Sequence, residues 1–156
     1  MTEIHFANAH VFPTSELRKH FPLQEGDVFD IARIREGIET LTRLYGARGY
    51  INFTASPDLR FDGEKKRISL AIDLNEDRQF RVASVNVFGL DRQFWGPTLR
   101  TKLVPGQVFN PELVEDVFTE NKAVLPAVAS SRDYTQITQD AKKTAVVIQF
   151  DFTRCN

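Results

Sequence analysis

The residues Gly26-Asp27-Val28-Phe29-Asp30, followed by a helical pattern, return as Gly106-Gln107-Val108-Phe109-Asn110 before a second such pattern, 80 residues later in a chain of 156. A chain that repeats itself at this distance folds as two similar units. The polar stretch from Asn75 to Gln79 separates them, giving residues 1–77 as a first module and 78–156 as a second. Units of roughly 75 residues lie near the lower end of what buries an adequate core. That need accounts for 13 Phe against one Trp and three Tyr, a load of large apolar side chains suited to two small interiors.

The pattern inside each unit is strand, short helix, Gly-x-Val-Phe turn, longer helix, then two strands. In the first unit Ile4 to Phe6 and Val11-Phe12 bracket a short strand, and Thr14 is placed to cap a brief helix ending near His20. Asp30 caps the longer helix, which runs to about Tyr45 with Ile31, Ile34, Ile38, Leu41 and Tyr45 on one core-facing stripe. Gly46 stops it. From Ile51 the residues Ile51, Phe53, Ala55, Pro57, Leu59 and Phe61 keep one parity, which predicts one long strand. Pro57 cannot donate to a ladder, so this strand belongs at the edge of its sheet or is bulged there. Asp62-Gly63 turns the chain into a return strand with Ile68, Leu70, Ile72 and Leu74 inward.

The second unit follows the same order with departures. Phe80, Val82, Val85 and Val87 change parity at Ala83-Ser84, which predicts a bulge. A short helix is expected after Gly96-Pro97, and the preceding Phe94-Trp95 is assigned to packing between domains. Asn110 caps a helix with Pro111 at its first position and Val114, Val117, Phe118 and Leu125 on one face, interrupted by Pro126. Thr135, Ile137 and Asp140 suggest a shorter strand, and Val146, Ile148, Phe150 and Phe152 the last one. The fold class is α+β, two tandem β-α-α-β-β modules.

Residues that could carry chemistry are sparse. Twenty basic and 21 acidic side chains leave a net charge of -1, so no overall field attracts nucleic acid or an anionic membrane. The one cysteine, Cys155, cannot form an internal disulfide. His5, His10 and His20 have no carboxylate or thiol at ligand spacing, which argues against a metal, and no cofactor is expected. Nothing resembles a nucleophile-base pair, coupled carboxylates or a phosphate loop, so an enzyme is not expected. Gly46-Ala47-Arg48-Gly49 has the spacing of the loop with which KH domains clamp a nucleic-acid backbone. Here it follows a long helix and leads into a strand, where two glycines serve a helix stop and a tight turn. Lys65-Lys66-Arg67 at a hairpin tip reads as solvated surface before it reads as a phosphate site. No apolar run has the length of a membrane span, and Met1 to Ile4 lacks the character of a signal peptide.

The ordered set Val11 to Leu17, Gly26 to Phe29, Tyr45-Gly46-Ala47-Arg48-Gly49-Tyr50 and the strand pair ending at Leu74 resembles a POTRA (polypeptide-transport-associated) domain. The opening of the second unit, Phe80, Val82, Val85, Val87 and Gly89, resembles the start of another. The second copy departs from the pattern where Leu125 and Ala129-Ser130 replace the Tyr and Gly-Tyr. The resemblance implies, for each module, a three-stranded mixed sheet with two helices on one face. It also implies a protein-binding scaffold, a fragment of a larger protein at the periplasmic face of the outer membrane. Its partners would be unfolded or extended client polypeptide and a membrane barrel of the same parent protein or complex, with no nucleic acid. On this reading the client adds as a strand to the edge formed by Ile51, Asn52, Phe53, Thr54, Ala55 and Ser56. Two alternatives are a KH-like module for single-stranded RNA and a spacer that binds no client.

Overall fold

The computed structural model describes residues 2–88, 101–121 and 131–152. The chain divides into two compact units, Met1–Gly46 with Tyr50–Arg78 and Ala47–Gly49 with Gln79–Asn156. In the first unit the order is β1 (Thr2–Ala7), α1 (Thr14–His20), α2 (Ile31–Gly46), β2 (Thr54–Asp62) and β3 (Arg67–Asn75). The strands lie in the order β1-β3-β2, with β1 parallel and β2 antiparallel to β3. A four-residue turn suffices for the antiparallel pair. The parallel pair needs a long crossover, which α1 and α2 supply.

The second unit repeats this topology with β4 (Arg81–Phe88), α3 (Glu112–Glu120), the single-turn α4 (Ser131–Tyr134), β5 (Thr135–Asp140) and β6 (Ala145–Asp151), in the sheet order β4-β6-β5. Both sheets are mixed and three-stranded, so the α+β tandem architecture expected from the sequence is the one observed. The predicted bulge is present as a register shift between Val82 and Ser84. The helix expected after Gly96-Pro97, together with Gly89, Phe94, Trp95, Leu125 to Ser130 and Cys155, lies outside the described residues.

One buried cluster holds the first unit: Ile4 of β1, Leu17 of α1, Ile34, Leu41 and Tyr45 of α2, Leu70, Ile72 and Leu74 of β3, and the loop residues Phe12, Phe21, Leu23 and Phe53. Tyr45 stacks on Phe53 with centroids 4.1 Å apart and meets Phe12 edge-on at 4.9 Å.

Four expectations are corrected by this packing. β1 ends at Ala7, where Asn8 takes a positive φ of 64°, and Val11 and Phe12 pack on the core instead of extending it. Thr14 is not a cap: α1 begins after Pro13, whose carbonyl accepts the N–H groups of Glu16 and Leu17 at 3.0 and 3.2 Å without any side-chain bond. Ile31 is 58% exposed, so the apolar stripe of α2 starts at Ile34, and Ile38 is only partly buried. The long strand from Ile51 begins instead at Thr54. Gly49 at φ +89° and the bonds Tyr50 N–H to Tyr45 O and Phe53 N–H to Tyr50 O wind residues 50–53 into turns that deliver Phe53 onto Tyr45.

Candidate functional site

The order β1-β3-β2 leaves β2 at an edge, one of the two places expected for Pro57. Its ladder with β3 runs without a shift from Thr54↔Asn75 to Asp62↔Arg67 and passes through Pro57↔Ile72. A proline tolerated in an unbroken antiparallel ladder stands where the missing N–H would point away from the partner. Backbone direction alternates along a strand, so Thr54, Ser56, Asp58, Arg60 and Asp62 bond inward to β3. Ala55, Leu59 and Phe61 direct both N–H and C=O to the open margin, and Pro57 directs its C=O there.

The side chains of this free margin are unlike those expected. Pairing with Leu70 and Ile68 puts Leu59 and Phe61 on the helix-side face of the sheet. Yet they are 46% and 74% exposed, because the helix layer covers Ala55 and no further. They form a short apolar strip beside unpaired backbone. On the opposite face Asp58 and Arg60 pair with each other at 3.2 Å. The hairpin tip is fixed by Asp62, whose Oδ1 accepts the N–H groups of Glu64 and Lys65, with Lys66 at φ 50°. The second unit builds its tip alike: Asp140 Oδ1 accepts from Lys142 and Lys143, and Thr144 has φ 48°.

Of the six residues Ile51 to Ser56, the structure therefore places Thr54, Ala55 and Ser56 in the edge strand and Ile51, Asn52 and Phe53 before it. Phe53 is buried. The parity that Leu59 and Phe61 share with Pro57 marks them as outward-bonding. The basic tip is not a continuous patch, since Arg67 pairs with Glu3 at 3.1 Å. The Gly49 carbonyl accepts Phe80 N–H at 2.8 Å within the second unit.

A polar cluster that no motif announced closes the unit opposite the hairpin tip. Glu76, 9% exposed, accepts the Tyr45 hydroxyl at 2.7 Å and the N–H groups of His10 and Val11 at 2.8 and 3.3 Å. Burial, and then the bond to this carboxylate, push the Tyr45 phenol well above its ordinary value. The cluster ties the C-terminal end of β3 to α2 and to the loop after β1, and it has no free nucleophile. Among the described residues no group of three or more His, Cys, Asp or Glu could hold a metal ion, and no helix is long and apolar enough to cross a membrane.

Residues 1–77 match the family described as POTRA, surface antigen variable number repeat. Among solved structures the chain is similar to POTRA domains 3–5 of BamA from Haemophilus influenzae, at 20% identity and a TM-score of 0.71 over 97% of this chain and 64% of that one. It is also similar to BamA from Haemophilus ducreyi lacking POTRA domains 1–3, at 14% identity and a TM-score of 0.68 over 87% of this chain and 26% of that one. At these identities the likeness is one of fold. The chain spans under two thirds of the first relative and about a quarter of the second.

Proposed function

We propose that the chain, whose residues 1–77 match the POTRA family and whose fold is that of consecutive POTRA modules, is a periplasmic protein-binding scaffold at the outer membrane. It receives extended client polypeptide by strand addition and passes it to a membrane barrel for insertion or secretion. The observation that carries this reading is the open margin of β2, where Ala55, Leu59 and Phe61 present unpaired backbone beside an uncovered apolar strip. An extended peptide satisfies such groups with main-chain hydrogen bonds while alternate side chains lie on the sheet margin. The client strand then runs along Thr54, Ala55 and Ser56 and continues past Pro57 to Phe61. Nothing in this function requires catalysis.

The test is the affinity of a fluorescent peptide with the alternating sequence of a barrel strand. Ala55→Pro removes one outward N–H and leaves the ladder to β3 whole, so binding should weaken about fivefold, the worth of one net hydrogen bond, with the helical signal unchanged. Unchanged affinity in that variant would remove the edge from the account.

A further inference from the structure

In the second unit the Gly-x-Val-Phe segment has a backbone partner. Gly106 N–H donates to Val82 O at 2.7 Å, Val82 N–H to Gln107 O at 2.8 Å, and Phe109 N–H to Phe80 O at 2.9 Å. Arg81 and Val108 form an antiparallel bridge between them. Val108 is half-buried as a result and Phe109 is 1% exposed. The segment thus pairs with the start of β4 through one isolated antiparallel bridge.

The first unit carries the same segment, with Gly26 and Gly106 both at φ +89°. Here, however, Val28 is 87% exposed and Ile31 58% exposed. Among the described residues, the N–H groups of Gly26 and Phe29 make no bond corresponding to those of Gly106 and Phe109. Register explains the Phe29 part of the difference, whereas Thr2, the counterpart of Val82, is present and accepts no bond from the Gly26 N–H. Thr2 pairs with Ile68 as Val82 pairs with Val146, and the two hairpins correspond at Asp62 and Asp140. Thr2 therefore stands where Val82 stands, and the counterparts of Phe80 and Arg81 fall ahead of Thr2. Beside this segment lies an open concavity of about 530 Å³ lined by Asp27, Val28, Phe29, Asp30, Ile31 and Arg33.

We infer that Gly26–Phe29, with Val28 and Ile31, is an acceptor for a flanking extended segment that enters in line with β1. The segment lies antiparallel on Gly26–Phe29 and carries a bulky apolar residue two places before Thr2, as Phe80 stands two places before Val82. The chain itself shows the geometry, because the second unit is the same acceptor with its occupant in place. This margin lies along β1, across the sheet from β2, so it accepts a neighbouring length of polypeptide and not a client.

The experiment supplies the occupant. A copy of the sequence Glu76–Phe80 fused ahead of Met1 puts its Phe two places before Thr2, and amide hydrogen exchange is then compared with the unaltered chain. Gly26 and Phe29 should exchange at least about tenfold more slowly in the extended chain, approaching Gly106 and Phe109, while the β2 amides stay unchanged. Replacing the added Phe by Gly should reverse most of the gain. Unchanged exchange at Gly26 and Phe29 overturns the inference, and so does a lack of protection at Gly106 and Phe109 in the unaltered chain. Equal protection by a barrel-strand peptide added in trans would assign the margin to clients and overturn the flanking occupant.

Discussion

Gly37 occupies the middle of α2, where glycine costs a helix about 1 kcal/mol relative to alanine. It is there because a Cβ at this position would meet the ring of Phe21, which fills the space. Gly37→Ala should therefore lower the stability of the first unit by about 1–3 kcal/mol in urea denaturation, overpacking outweighing the better propensity; a gain in stability would mean that Phe21 moves aside freely. Tyr45 makes a second residue-scale prediction. Its phenol is raised by burial and by Glu76, so the folded state favours the protonated form. That contribution is fully present below the unfolded tyrosine value of about 10 and is lost as pH rises above it, because the unfolded chain ionises first. Tyr45→Phe should be about 1 kcal/mol less stable at neutral pH, having lost one hydrogen bond. It should also lose less stability than the parent between pH 8 and pH 11. Equal losses in both proteins would show that Tyr45 is not the group responsible.

Elements were legible in the sequence as faces, and less so as lengths. The spacing of Ile34, Leu41 and Tyr45 identifies the buried stripe of α2, but the same spacing includes Ile31, which stands beyond the surface that the stripe packs against. Parity likewise identifies the helix-side face of β2, while the hairpin outruns the helices and leaves Leu59 and Phe61 uncovered. Local pattern reports which side is apolar and is silent on where the neighbour ends. Pro57 was more informative, since its missing donor confines it to an edge or a bulge and, in the unshifted ladder observed, gives the direction of every backbone group along the strand. The start of β2 was missed because Phe53 is claimed by Tyr45, a contact 8 residues back in the chain that interrupts a period-two run without marking it. Substitutions separate these cases. Leu41→Ala should cost about 2–5 kcal/mol and Ile38→Ala distinctly less, since Leu41 is wholly buried and Ile38 is not. Thr54→Pro should destabilise the first unit, because Thr54 bonds inward to Asn75, whereas Ala55→Pro should leave it folded. Thermal unfolding of the two proline variants checks this, and equal melting temperatures would contradict the assigned direction of the backbone.

At the scale of the whole molecule the near balance of charge, -1 over 156 residues, favours the proposed scaffold over a nucleic-acid binder. Single-stranded RNA should bind weakly and without sequence preference, and that affinity should collapse with added salt as counterions cease to drive it, whereas strand addition should respond to salt far less. Tight RNA binding that disappears on replacing Arg48, Lys65 and Lys66 would favour the KH-like alternative. The central claim is that an extended client pairs with the open margin of β2. Its most direct test is amide chemical-shift mapping of the full chain titrated with a barrel-strand peptide. The account predicts that Ala55, Leu59 and Phe61 respond first, followed by their β3 neighbours Leu74, Leu70 and Ile68, with α2 little affected. Shifts concentrated on residues 31–46 of α2, or none at millimolar peptide, would contradict it.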